Sequence, residues 1–144
     1  MSATQSLPEL IGTAQEKAND AAGDALALEA IAVDTFGAFE ARMQHHFRRG
    51  PFSRKLKSAL IEAGEAELAE RVYQYYLAVN VIKHGKGASH RELLAMSDPE
   101  FPTRKAPEDY VPGDGQPALV DVTVPGFFDG MAEAVLAAQA FLEG

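Results

Sequence analysis

From Glu65 to His84 the chain runs through EAELAERVYQYYLAVNVIKH without a glycine or a proline. Leu68, Val72, Tyr75, Val79 and Ile82 recur there at steps of three and four, the spacing of one face of an α-helix. A helix of this length draws most of its stability from packing that face against other elements, so the remaining sequence must supply partners for it.

It supplies them as further helices. Ser6-Leu7-Pro8-Glu9 combines a capping serine, a first-turn proline and an early acid, and predicts a helix over 6–22 with Leu10, Ile11, Ala14, Ala18 and Ala21 on one side. Asp24 heads a second helix over 25–48, whose Leu28, Ile31, Ala32, Phe36, Phe39, Met43 and Phe47 form an apolar face before Gly50-Pro51 ends it. Ser53 is read as the cap of a third, over 53–63, with Leu56, Leu60 and Ile61 inward and Gly64 as the break. Ser89 and Glu92 have the S-x-x-E spacing of a capping box and predict a short helix over 90–96. A last helix, 126–142, follows Pro125 with Phe127, Phe128, Met131, Val135, Leu136 and Phe141 on its core face.

Two stretches break the pattern. Residues 97–118 carry Pro99, Pro102, Pro107 and Pro112 and read as an ordered loop wrapping the bundle, with Phe101 and Tyr110 as anchors. Residues 118–124, ALVDVTV, have strand composition, and a lone strand must pair with another loop segment or with its copy in a second subunit. The expected fold class is all-α: an up-and-down helical bundle of about four to five helices with a long Pro-rich loop and one short β segment. It forms a single domain over residues 1–144, with residues 1–6 mobile.

The chain has 144 residues and no cysteine, which excludes disulfides, thiol catalysis and cysteine-ligated zinc. No apolar run approaches a membrane span and no secretory signal opens the chain, so a cytoplasmic protein without a membrane partner is expected. Charge is uneven. Residues 1–41 hold seven acids against one base, residues 42–91 ten bases against four acids, and residues 92–144 ten acids against two bases. The acidic ends are expected to fold over the basic middle, and the run Arg48-Arg49-Gly50-Pro51-Phe52-Ser53-Arg54-Lys55-x-Lys57 is placed to contact phosphate or an acidic segment, the favoured one being the chain's own acidic C-terminal part.

Chemistry concentrates in Asn80-x-x-x-His84-Gly85-Lys86-Gly87-Ala88-Ser89-His90-Arg91. On the long helix Tyr73, Leu77, Asn80 and His84 share a flank. His84 stands in the last turn, where carbonyl ends attract cations. The chain then turns through glycines into the amino end of the next helix, whose free N–H groups, together with Lys83, Lys86, Gly87, Ser89, His90 and Arg91, are placed to hold a phosphate. The same signals also serve a plain helix stop and start, and both readings stay open. G-K-G-A-S is not a P-loop, and neither a G-x-S-x-G nucleophile nor an E-x-x-H metal motif occurs. No metal and no cofactor are therefore expected.

A long helix closing on Asn80-x-x-x-His84 in a helical domain of this size resembles the HEPN superfamily (higher eukaryotes and prokaryotes nucleotide-binding). Asn80 and His84 match the polar residue and the histidine of that family's motif, while its arginine position holds Val79. The resemblance covers about residues 65–92. It implies a helical bundle, a homodimer, a nucleotide or RNA ligand, and metal-independent RNA cleavage in which His84, with Asn80 beside it, takes the proton of a ribose 2′-hydroxyl and Lys83, Lys86 or Arg91 stabilises phosphorane charge. The alternative is a non-enzymatic homodimeric interaction module. Two weaker candidates complete the reading. His45-His46 point about 100° apart on a helix and lack a metal-ligand spacing, and Phe36, Phe39, Tyr76 and Phe128 are core side chains or an apolar-ligand lining.

Overall fold

A computed structural model describes residues 6–47, 49–96, 101–103 and 119–144. Among the described residues, six α-helices form an all-helical bundle: α1 (Leu7–Asp20), α2 (Ala25–Met43), α3 (Phe52–Glu62), α4 (Ala66–His84), α5 (Ala88–Ala95) and α6 (Phe127–Glu143). The short helix read over 90–96 is present as α5, the sixth beside the four to five expected for the bundle.

Two helix starts follow the sequence signals. Ser6 caps α1, its hydroxyl accepting the Glu9 N–H at 3.3 Å, so this member of the stretch expected to be mobile is engaged. Asp24 caps α2 by accepting the Ala27 N–H at 3.2 Å. Two do not follow them. Gly87 precedes α5 and Pro51 precedes α3, and neither helix has a side-chain cap. Ser89 instead accepts the Asn80 amide (3.3 Å), and Glu92 accepts the Tyr73 hydroxyl (3.0 Å). Both members of the expected capping box are thus used to fasten α5 to α4. Ser53, buried in the first turn of α3, donates a long bond (3.5 Å) to Glu40 of α2.

The expected helix 25–48 stops at Met43 and continues only as a 3-10 turn, Gln44–His46. Phe47 then takes extended backbone and sets its ring edge-on to Phe52, 5.6 Å away. That contact continues inward through Phe39 and Phe36 at 5.4 and 5.5 Å. Phe36 and Phe39 are fully buried and belong to the core.

Helix α4 is the axis of the fold. It packs against α2, α3, α5 and α6. Its buried residues run all the way round, from Ala69, Val72, Tyr73 and Gln74 to Leu77, Ala78 and Val81, whereas a single stripe was expected. Tyr75 meets Phe101 and Phe127 at 5.3 and 5.5 Å, and burial of each such ring contributes about 1.5–3 kcal/mol. Phe101 is the loop anchor the sequence predicts; Tyr110 and most of the Pro-rich stretch lie outside the described residues. Segment 118–124 does not form a strand where it is described. Val120 makes one antiparallel bridge, with Thr103 of the proline-rich stretch, and Asp121 then accepts the Thr123 N–H at 2.9 Å and pulls the backbone into a turn.

The helix order gives the bundle two distinct ends. The 44–51 connection and the α4–α5 turn share one end, since Glu40 meets Ser53 and feels the charge of Lys83. The 21–24 turn and the start of α6 share the other, where Ala22, Gly23, Gly126 and Asp129 line a common hollow. Arg71, near the start of α4, reaches the same end of α6 at Glu133 (3.5 Å) and the Gly130 carbonyl (3.4 Å). His45, Arg49, Arg54, Lys55, Lys83, His84, Lys86 and Arg91 are exposed at or beside the first end. Asp20, Asp24, Glu62, Glu65, Glu67, Glu70, Asp129 and Glu133 are exposed at or beside the second. Half of the ten acids of residues 92–144 lie outside the described residues; of the rest, Asp129 and Glu133 engage Gln15 (3.3 Å) and Arg71, and Glu92 bonds Tyr73, on whose ring Lys57 of the basic middle rests.

Candidate functional site

The α4–α5 corner is built from the end of one long helix and the start of a short one. Gly85 closes α4 with its N–H on the Val81 carbonyl (2.7 Å) and φ of +74°, a value that favours glycine. Gly87 is extended, with φ of 170°, and a Cβ added there meets open space within 4 Å. The main chain at this turn is therefore approachable from solvent.

The predicted site residues divide into two groups. Lys83, His84, Lys86 and Arg91 are exposed, and their charges stand at the corner. Asn80 and Ser89 are half-buried and bonded to one another, which spends the Asn80 amide as a fastener directly below His84. His90 is only 2% exposed, so it lies in the packed interface beneath α5 and not on the open turn with Lys86 and Arg91. The uncapped first turn of α5 leaves N–H groups directed toward the same corner.

Beside this corner lies a group the sequence reading missed. Burial pushes the Glu40 carboxyl above the usual carboxylate range, and the Lys83 charge and the Ser53 hydroxyl offset part of that rise. On the neighbouring face, the Lys57 ammonium sits 4.1 Å from the centre of the Tyr73 ring, and Tyr76 packs on Tyr73 at 5.4 Å. Burial raises the Tyr73 hydroxyl above its ordinary value, and its bond to Glu92 and that carboxylate's charge raise it further. No sequence motif marks either group, because each joins three helices. The i, i+3 and i+4 spacings report one helix face and say nothing of which helix comes to meet it.

His45 and His46 lie with ring centres 4.1 Å apart, His45 exposed and His46 half-buried. Among the described residues, no three or more histidines and carboxylates come together as a metal-holding group, and no helix is long and apolar enough to cross a membrane. Compared with protein-family models, with curated proteins and with solved structures, the chain matches none.

Proposed function

We propose that this helical bundle binds a phosphate-bearing ligand, a nucleotide or RNA, at the 84–91 turn. The observation that carries the reading is the exposure of Lys83, His84, Lys86 and Arg91 around an approachable main chain and an uncapped helix start. Cations and free N–H groups at one corner match the charge and the acceptor oxygens of a phosphate. Ser89 and His90 serve the corner from below, by holding α5 in place. In the HEPN-like form of this reading His84 is the base that takes the 2′-hydroxyl proton, and the neighbouring cations stabilise the charge that develops. The cytoplasm supplies such ligands.

The test is fluorescence anisotropy with a short labelled single-stranded RNA and with a labelled nucleotide, over a salt series. The Lys86→Ala/Arg91→Ala variant is expected to bind more weakly and to flatten the salt dependence, by about 0.7 in log–log slope per lost contact with a single strand. His84→Ala is expected to retain binding and to lose any cleavage. Absence of binding of either probe at low salt overturns the proposal.

A second reading, a non-enzymatic homodimeric module, is supported by Leu26 and Ile61, 79% and 51% exposed near the acidic end. Light scattering tests it. A dimer that Leu26→Glu or Ile61→Glu splits favours this reading, and a monomer at all concentrations removes it.

A further inference from the structure

The connection between α2 and α3 forms an open hollow of about 460 Å³ lined by His46, Phe47, Arg49 and Lys55. Among the described residues, no carboxylate lines it. Its walls are held in place. Phe47 is fixed on Phe52, which is itself part of the aromatic row leading to the core. Gly50 has φ of +88°, and the Cε of Lys55 lies 2.9 Å from where a Cβ at Gly50 would stand, so the lysine stem folds across the loop in a space that only glycine leaves open. The His46 ring lies against that of His45, and its Nε2 is buried without a hydrogen-bond partner among the described residues. A buried polar atom in that state costs free energy and is the kind of group a ligand satisfies after a small ring shift. The uncapped start of α3 lies at the same loop and adds N–H groups of the same sign.

We infer that this hollow is a second anion site, separate from the α4–α5 corner, and that it takes a phosphate monoester. Arg49 and Lys55 hold the dianionic phosphoryl group, His46 completes its hydrogen bonding, and the ester group lies on the Phe47 ring. Two cations match the charge of a monoester, and an arginine supplies the forked donors that phosphate oxygens accept. None of Lys83, His84, Lys86 and Arg91 is needed, so the inference stands or falls independently of the function proposed above.

The test is NMR titration of the labelled protein with inorganic phosphate and with phenyl phosphate, at constant ionic strength held by chloride. Expected are saturable shifts of the His46 ring signals and of the Phe52, Ser53 and Arg54 amides, with phenyl phosphate binding several-fold more tightly. Arg49→Ala/Lys55→Ala is expected to weaken binding at least ten-fold, and Lys86→Ala/Arg91→Ala to leave it unchanged. Arg49→Gln/Lys55→Gln, which keeps much of the bulk, repeats the loss, and an otherwise unaltered amide spectrum shows that either variant is folded. Non-saturable shifts, shifts that bypass His46, or an equal loss in the Lys86/Arg91 variant overturn the site. Equal affinity for the two probes overturns the placement of an ester group on Phe47.

Discussion

Glu40 shows how one side chain ties stability to pH. Its carboxyl is raised in the folded state, chiefly by burial, so between the unfolded and folded values the native protein binds more protons than the unfolded chain. Native stability is then greater at the acidic side of that window and falls as pH rises through it. Glu40→Gln is expected to raise stability at neutral pH and to flatten this slope, read from urea unfolding across the mildly acidic range. A neutral-pH loss on that substitution would mean that the Lys83 attraction and the Ser53 bond outweigh burial. Asn80 gives a second residue-scale prediction. Its bond to Ser89 fastens α5, and Asn80→Ala is expected to cost about 0.5–1.5 kcal/mol. A double-mutant cycle with Ser89→Ala should show coupling between the two.

At the scale of the element, two of the six described helix starts rest on side-chain caps and four do not. Ser6→Ala and Asp24→Ala are each expected to cost about 1 kcal/mol through helix fraying, whereas Ser53→Ala has no cap to remove. Thermal unfolding of the three variants distinguishes them. Gly85→Ala is expected to cost about 1–2 kcal/mol, because its φ lies where an L side chain is strained. The helices themselves were legible: α1, α3, α4 and α6 start and end within about two residues of the boundaries read from periodicity and punctuation. The early stop of α2 was not, since it follows from Phe47 finding Phe52 and not from any breaker at 44. The S-x-x-E pattern misled for a related reason: local spacing shows that Ser89 and Glu92 are available to cap, but Asn80 and Tyr73 arrive from another helix and engage them first. For the same reason α4 reads as one-faced, although α2, α3, α5 and α6 surround it. The exposed cations of the candidate site were legible as sequence neighbours; the burial of His90 and the nearness of Glu40 to Lys83 depend on packing between helices.

For the whole molecule the decisive arrangement is the gathering of exposed basic and histidine side chains at one end of the bundle among the described residues. The chain carries a net charge of −8, and repulsion from a polyanion is the simple expectation. The eight exposed basic and histidine side chains at one end predict otherwise: the protein is expected to be retained on a phosphocellulose column at low salt and to elute as salt rises. Passage straight through that column would show that the acidic end governs the field even at short range. Combining Lys83→Ala, Lys86→Ala and Arg91→Ala is expected to shorten retention, and Glu67→Gln with Glu70→Gln to lengthen it.

Among the described residues, the exposed basic side chains gathered around the 44–51 connection and the α4–α5 corner make that end locally positive on a chain of negative net charge. A highly charged surface therefore exerts a torque on the molecule before any atom touches, and turns the 44–51 connection and the α4–α5 corner forward together. Arrival is then already oriented, and the opposite end is left facing solvent, where its carboxylates attract the basic end of a second molecule at low salt and lose that attraction as salt rises.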